Sequence, residues 1–291
     1  MPYTEIQERN GKKYYYRVQS IRKGKKVTKK RIYLGVNLEK KEIKKKENEA
    51  DNKLLLLSTL LSKEQIKKLN ELKNKRSKLS YEAFISLYTY DSTNIEGNTF
   101  TLQETAQLLF EKLTPRKSLR EINEIINHKE AFDYLLNKKV LNKKLILKLH
   151  ELVTKNTLKE DVKDQLGKYR TVQVYIRGVD WLPSEPDVIS SEMSKLLTWY
   201  TKNKNKLHPL ILASYFHVIF EMIHPFVDGN GRVGRLLINF ILHKKGFPMV
   251  NIPNKIKYKY YDTLEKAQTK GEFKPFVDLL YKLIIESKIR F

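Results

Sequence analysis

The chain has 291 residues, 41% of them hydrophobic and 31% charged, a formal net charge of +24 and no cysteine. That balance is globular and long enough to bury one large core or two smaller ones. Without thiols there are no disulfides or cysteine metal sites, and MPYTEIQERNGKK lacks an apolar leader, so a cytoplasmic protein is expected.

The longest apolar stretch, PLILASYFHVIF at 209–220, is too short to span a bilayer, so no membrane association is expected. The lysine excess fits a polyanionic partner, although simple solubility produces it too.

In chain order, KKYYYRVQSIRKGKKVTKKRIYLG (12–35) places strand formers Tyr14, Tyr16, Val18 and Ile21 before a glycine-centred turn. Val27, Ile32, Tyr33 and Leu34 follow, which predicts a β-hairpin or three-stranded meander. Lys12 to Arg31 holds ten Lys/Arg and no acid. Its tyrosines and lysines suit either nucleic acid or a solvated or protein-docking module.

NLEKKEIKKKENEADNKLLLLSTLL (37–61) predicts a charged helix, and SKEQ (62–65) is a capping box opening another. The expected organisation is a basic β module over 1–36, a helical connector over 37–80, and a mainly α-helical domain over 81–291. From Ser80 onward, most segments carry apolar residues at helical spacing, and TLQE (101–104) is a second capping box. The exception is YRTVQVYIRGVDWLPSEP (169–186). There Val172, Val174 and Ile176 alternate before a turn, which predicts one short hairpin.

The chemistry concentrates in HPFVDGNGRVGR (224–235). Pro225 restricts the residue before it, so the preceding helix is expected to stop with His224 extended at an exposed corner. DGNG is a turn, and a helix follows it. Such a helix start offers free backbone N–H groups and the positive dipole end to an anion. Arg232 and Arg235 share one face of its first turn, an unfavourable place for cations that a bound anion would offset. A polyphosphate fits best. Asp228 suits Mg²⁺ that also bridges phosphate oxygens, and His224 is a candidate general base. A turn that merely caps a helix would need none of these residues together.

This stretch resembles, position by position, the H-x-F-x-D-G-N-G-R-x-x-R motif of the Fic family. The resemblance covers about residues 80–285. It implies an all-α core with a short β-hairpin flap that transfers AMP from ATP to a hydroxyl side chain of a target protein. By that resemblance His224 deprotonates the hydroxyl and Asp228 binds Mg²⁺ (or Mn²⁺). Gly229, Asn230 and Gly231 hold the α-phosphate, Arg232 and Arg235 hold the outer phosphates, and Phe226 anchors the loop. A kinase-like branch of the family carries lysine at the position of Gly231, so Gly231 implies AMP transfer.

STNIEGNTFTL (92–102) resembles the family's inhibitory motif, with Ser92 and Glu96 one turn apart and Gly97 ending the helix. Glu96 would pair with Arg235 and hold ATP unproductively. The 169–186 segment resembles the flap, its tip of Ile176, Arg177, Gly178 and Val179 bordering the nucleotide. Tyr260 and Tyr261 resemble the adenine-side aromatics, with Gln268 in place of the commoner asparagine.

The expected activity is therefore an autoinhibited protein adenylyltransferase. Its partners would be ATP and unidentified target proteins, with self-modification, a homodimer and nucleic acid at residues 12–31 left open. Two alternatives remain: AMP removal from a modified target at the same site, and a nucleic-acid-binding regulator built on this core.

The remaining histidines read as ordinary. His217 is expected as a wall residue on the face of His224, and His128, His150, His208 and His243 as structural or surface groups. Glu221 and His224 form an E-x-x-H pair, but with no second such pair a di-iron site is excluded.

Overall fold

The computed structural model describes residues 3–23, 26–54, 60–74, 81–176, 179 and 181–287. It divides into two compact units, 1–60 and 61–291.

The first unit is a three-stranded antiparallel sheet in the order β1-β2-β3, from Tyr3–Arg9, Lys12–Lys23 and Lys26–Val36, followed by helix α1, Lys40–Leu54. Asn10 and Gly11 join β1 to β2 with φ of 50° and 69°, the paired left-handed conformations of a type I′ hairpin turn. Tyr15 and Leu34 are buried on one face, where Ile32, Leu38 and Ile43 of α1 pack on them. On β2 and β3, Tyr16 stands opposite Tyr33, with ring centroids 5.4 Å apart. The sequence reading placed 37–80 in a connector. In the structure α1 lies against β2 and β3 and closes this small core.

The second unit is helical: α2 (Lys63–Glu71), α3 (Tyr81–Ile95), α4 (Leu102–Ala106), α5 (Leu119–Leu136), α6 (Lys143–Thr154), α7 (Ile189–Asn203), α8 (Pro209–Ile223), α9 (Asn230–His243), α10 (Lys257–Lys270) and α11 (Phe273–Glu286). Capping boxes start α2 at Ser62, α4 at Thr101 and α5 at Ser118. Each satisfies two backbone groups that a helix start leaves unpaired. After α4 the chain continues as a π-helical turn, Gln107–Glu111, which ends on left-handed Lys112.

The helices α8 and α9 pair at the centre of the unit. Nearly every α8 side chain is buried, as its continuous apolar sequence requires, and α7, α10 and α11 pack around it. The other side of α9 is covered by α3, α5 and α6. Asp91 ties α3 down by accepting from the Asn254 N–H at 2.8 Å and from the Asn251 amide. That anchor lies immediately before Ser92.

Two expectations are corrected. The described residues between 171 and 185 form no paired strands. Arg170 and Gln173 take the carbonyls instead: Arg170 Nη1 donates to Val172 O at 2.8 Å and Nη2 to Ser184 O, while Gln173 Nε2 donates to Pro183 O at 3.2 Å. The described part of this segment is a loop stapled by side chains.

His224 is not extended. It is left-handed, with φ 49° and ψ 62°, and its ring is one-fifth exposed. Its N–H still donates to Phe220 O at 2.9 Å, while Arg170 Nε donates to its turned carbonyl at 2.8 Å. The following proline disfavours the right-handed helical region but leaves this conformation open.

Candidate active site

The loop between α8 and α9 is held from below. Phe226 is fully buried, stacked on His150 at 3.9 Å with the rings 4° apart, and ringed by Tyr169 and Phe220. The Asn230 side chain is spent on the Phe226 backbone: its Oδ1 accepts from the N–H at 2.9 Å and its Nδ2 donates to the carbonyl at 2.8 Å. The Asn230 side chain thus shapes the loop, and its backbone N–H at the start of α9 is a donor open to an anion. Gly229 caps α9 in the left-handed region at φ 80°, and a Cβ there would lie 2.7 Å from Thr154 Cγ2. The N-terminus of α9, with Gly231 in its first turn, then faces the site without a side-chain cap.

Arg232 of that turn and Arg235 of the next are both buried. Arg232 Nη2 donates to Asp228 Oδ1 at 3.0 Å, and its Nη1 lies 3.8 Å from Glu124 Oε1. Arg235 donates from Nε to Ser92 Oγ at 3.0 Å, and from Nη2 to Ser92 O and Glu96 Oε1, both at 2.7 Å. The expected cost of two cations at a helix start is thus met by carboxylates of the protein itself. Even so, Nε and Nη1 of Arg232 and Nη1 of Arg235 are buried without a hydrogen-bond partner. Buried donors left unmade are costly, and these three suit additional anionic oxygens. Burial alone would lower the pKa of Arg235, but Glu96 beside it raises it, so the guanidinium stays charged.

Glu96 fits because Gly231 faces it. A Cβ at Gly231 would lie 2.2 Å from Glu96 Oε1. The carboxylate is one-third exposed, at the rim, and Gly97 beyond it turns the chain with φ 103°.

His224 is the titratable group of the site. Burial pushes its pKa down to about 4 against the opposing Glu221 carbonyl, and Arg170 depresses it further. The ring is therefore neutral at neutral pH, the form a general base needs. Asp228 is partly exposed. Burial tends to raise its pKa, but Arg232, the Gly229 N–H and Arg120 together hold it below the usual carboxylate range. A single ionised carboxylate beside unpaired phosphate-type donors fits Mg²⁺, which commonly takes one or two protein carboxylates and draws its other ligands from water and phosphate. Among the described residues no group of three or more His, Cys, Asp or Glu is arranged to hold a metal ion.

Of the adenine-side candidates, Tyr260 is fully buried and its hydroxyl lies 2.7 Å from His217 Nε2, so it forms wall. Tyr261 is 40% exposed and its hydroxyl donates to Ile95 O at 3.3 Å, leaving a ring face at the surface. Gln268 is buried. Ile176 and Val179 are half-buried on the stapled loop, and Arg177 and Gly178 lie outside the described residues.

The sequence reading had no role for Arg170, Asp91, Arg120 or Glu124. Arg120 Nη2 reaches Asp228 Oδ2 at 3.4 Å, and Glu124 accepts from Arg120 Nε at 3.2 Å and from Asn98. The only signal was a pair of charges, Arg120 and Glu124, one turn apart on a helix.

A helical core folded around an anion-binding turn, with a neutral histidine at its edge, defines the class. Residues 140–242 match the model of the Fic/DOC family. The chain is 31% identical over 243 residues to protein adenylyltransferase fic-1 of Caenorhabditis briggsae, which covers 78% of this chain and 46% of that protein. It is 36% identical over 200 residues to protein adenylyltransferase Fic of Culex quinquefasciatus, covering 67% and 39%.

Among solved structures, Fic-1 (residues 134–508) from C. elegans is similar with a TM-score of 0.69 and 27% identity, covering 87% of this chain and 77% of that one. A Fic-domain-containing signaling protein from Bacteroides thetaiotaomicron is similar with a TM-score of 0.64 and 27% identity, covering 80% and 92%. The chain carries a Fic/DOC family domain. It spans less than half the length of the curated relatives it matches.

Proposed function

We propose that this chain is a protein adenylyltransferase that moves AMP from ATP onto a hydroxyl side chain, and that Glu96 restrains it. The observation that carries the reading is the juxtaposition at one helix start: a neutral His224 beside three buried, unpartnered guanidinium N–H groups of Arg232 and Arg235. That set suits a polyphosphate whose α-phosphorus is attacked by a hydroxyl.

In the step, the target hydroxyl oxygen bonds to the α-phosphorus, the bond from that phosphorus to the β-bridging oxygen breaks, and pyrophosphate leaves. His224 takes the hydroxyl proton. The N–H groups at the start of α9 hold the α-phosphate, and Arg232 and Arg235 hold the outer phosphates. Asp228 would hold Mg²⁺ (or Mn²⁺), which when bound neutralises charge on the phosphate oxygens. Glu96 occupies Arg235, and so competes with the γ-phosphate for it.

Two observations support further readings. The Glu96 carboxylate is one-third exposed at the rim of the site, which suits a water-positioning role in AMP removal from a modified target. The first unit holds eleven Lys/Arg against two acids between residues 3 and 36, which suits a polyanion such as nucleic acid. The cysteine-free composition is that of a cytoplasmic protein.

The test is incubation with α-labelled ATP and Mg²⁺, comparing the wild type with Glu96→Gly. Label on the protein itself or on lysate proteins, stronger in the variant, supports the reading. No transfer from either protein to any target overturns it.

A further inference from the structure

Behind the catalytic loop lies a row of buried polar groups that the reaction above does not use. Tyr260 O–H meets His217 Nε2 at 2.7 Å. His217 Nδ1 then stands 4.0 Å from Glu221 Oε1, and Glu221 Oε2 stands 3.7 Å from His224 Nδ1. His217 is fully buried and Glu221 is 6% exposed. The nitrogen and oxygen atoms facing one another across these gaps, His217 Nδ1, Glu221 Oε1 and His224 Nδ1, are all buried with no hydrogen-bond partner.

A carboxyl on the inner face of a core helix is expensive unless it is paired. Here space has been left for it. A Cβ on Gly234 of α9 would lie 2.4 Å from Glu221 Oε1 and 2.7 Å from His217 Nδ1. From α11, Phe276 stacks on His217 at 5.6 Å and fixes that ring from the other side. The charged groups acting on this row are Glu221 of α8, Arg235 of α9, Glu96 at the end of α3 and, at His224, Arg170 and Asp228.

We infer that Glu221 is a positioning residue for the catalytic base: its Oε2 accepts the Nδ1–H of His224, which leaves the Nε2 lone pair for the target hydroxyl. This rests on the assignment of His224 as the base. The gap of 3.7 Å exceeds a hydrogen bond by several tenths of an ångström, which a small rotation of the Glu221 side chain closes. The tautomer of a histidine is set by the hydrogen bond its other nitrogen makes; beside this ring stand the Glu221 backbone carbonyl and, 3.7 Å from Nδ1, Glu221 Oε2, and removing the side chain separates the two.

The acceptor serves in either protonation state of the carboxyl, because the carbonyl oxygen of a protonated acid accepts as well. Burial holds that proton on, with a pKa of about 8, against Arg235 and with Glu96 reinforcing it. When His224 takes the hydroxyl proton at Nε2, the Nδ1 proton stays on nitrogen, and Glu221 orients the resulting imidazolium without receiving a proton.

Two experiments on the full chain test this. Nitrogen-15 histidine NMR, with the His224 signals assigned through His224→Ala, should show His224 protonated at Nδ1. Protonation at Nε2 instead would overturn the inference without any activity assay. In the Glu96→Gly background, Glu221→Met removes the acceptor but fills the space, and Glu221→Gln keeps a carbonyl.

The Met variant should lose at least tenfold in kcat with KM for ATP unchanged, and the Gln variant should retain activity within about threefold. Met within twofold of its parent, or Met and Gln equally impaired, removes the positioning role. Retained transfer by His224→Ala would instead mark failure of the base assignment itself.

Discussion

Arg235 Nη2 donates to Glu96 Oε1 at 2.7 Å, joining residues 139 positions apart. Ser92, one turn before Glu96, accepts twice from the same guanidinium. The end of α3 thus covers Arg235, the arginine proposed to hold the γ-phosphate.

Releasing that cover should raise activity. A hydrogen bond to a charged group contributes about 1.5–3 kcal/mol, which corresponds to roughly tenfold to a hundredfold in rate. Glu96→Gly should show that gain in self-modification, followed by incorporation of α-labelled ATP. Arg235→Ala should not, because it removes the partner of Glu96 and the phosphate's ligand together.

Asp228 should act through the metal. Asp228→Ala should abolish Mg²⁺-dependent transfer and weaken ATP binding only when Mg²⁺ is present, as read by calorimetry with and without EDTA. Equal weakening in both conditions would assign Asp228 to the turn, where it accepts the Gly229 N–H at 2.6 Å.

Stability should respond to pH through the buried row. Glu221 has a folded pKa raised to about 8 from 4.5, so its contribution is fully present below 4.5 and is lost as pH rises through 8. His224 and His217 run the other way. Their folded values fall to about 4 and about 3 from 6.5, so their contribution is present above 6.5 and is lost as pH falls through those values. Glu221→Gln should therefore melt higher relative to wild type at pH 9 than at pH 5. An unchanged difference between the two pH values would show that Glu221 does not hold its proton.

Arg170 should be a large stability site far in sequence from the motif. It is buried and donates to the carbonyls of His224, Val172 and Ser184. Arg170→Ala leaves those acceptors unpaired and should cost on the order of 3 kcal/mol, together with a loss of AMP transfer because His224 loses its fixed carbonyl. Urea titration and the labelled-ATP assay would read the two effects separately.

Local chemistry made much of this legible in the sequence. The capping boxes at Ser62 and Thr101 start α2 and α4, and the apolar run before His224 is the central buried helix. The twelve residues from His224 to Arg235 carried the site, because turn glycines, arginines and a histidine at that spacing have few other uses. Of the hairpin and the three-stranded meander expected over 1–36, the structure has the three strands, with Asn10-Gly11 turning β1 into β2. What stayed hidden depended on distant partners.

Alternation at Val172, Val174 and Ile176 suggested a ladder, but Arg170 and Gln173 captured the carbonyls first. The left-handed His224 is set by Arg170, 54 residues away, which no local pattern shows. Glu221 was legible only as half of a rejected metal motif, because its neighbours His217 and Gly234 acquire meaning once α8 and α9 pack.

Adenylyl transfer with His224 as the base, and not phosphoryl transfer, is the reaction proposed for this site. The direct measurement compares Glu96→Gly with Glu96→Gly/His224→Ala, each given ATP labelled at the α- or at the γ-phosphate in Mg²⁺. Adenylyl transfer predicts stable protein label from the α-labelled nucleotide only, and its loss when His224 is removed. Label from the γ-phosphate, or α-label that survives His224→Ala, would contradict it.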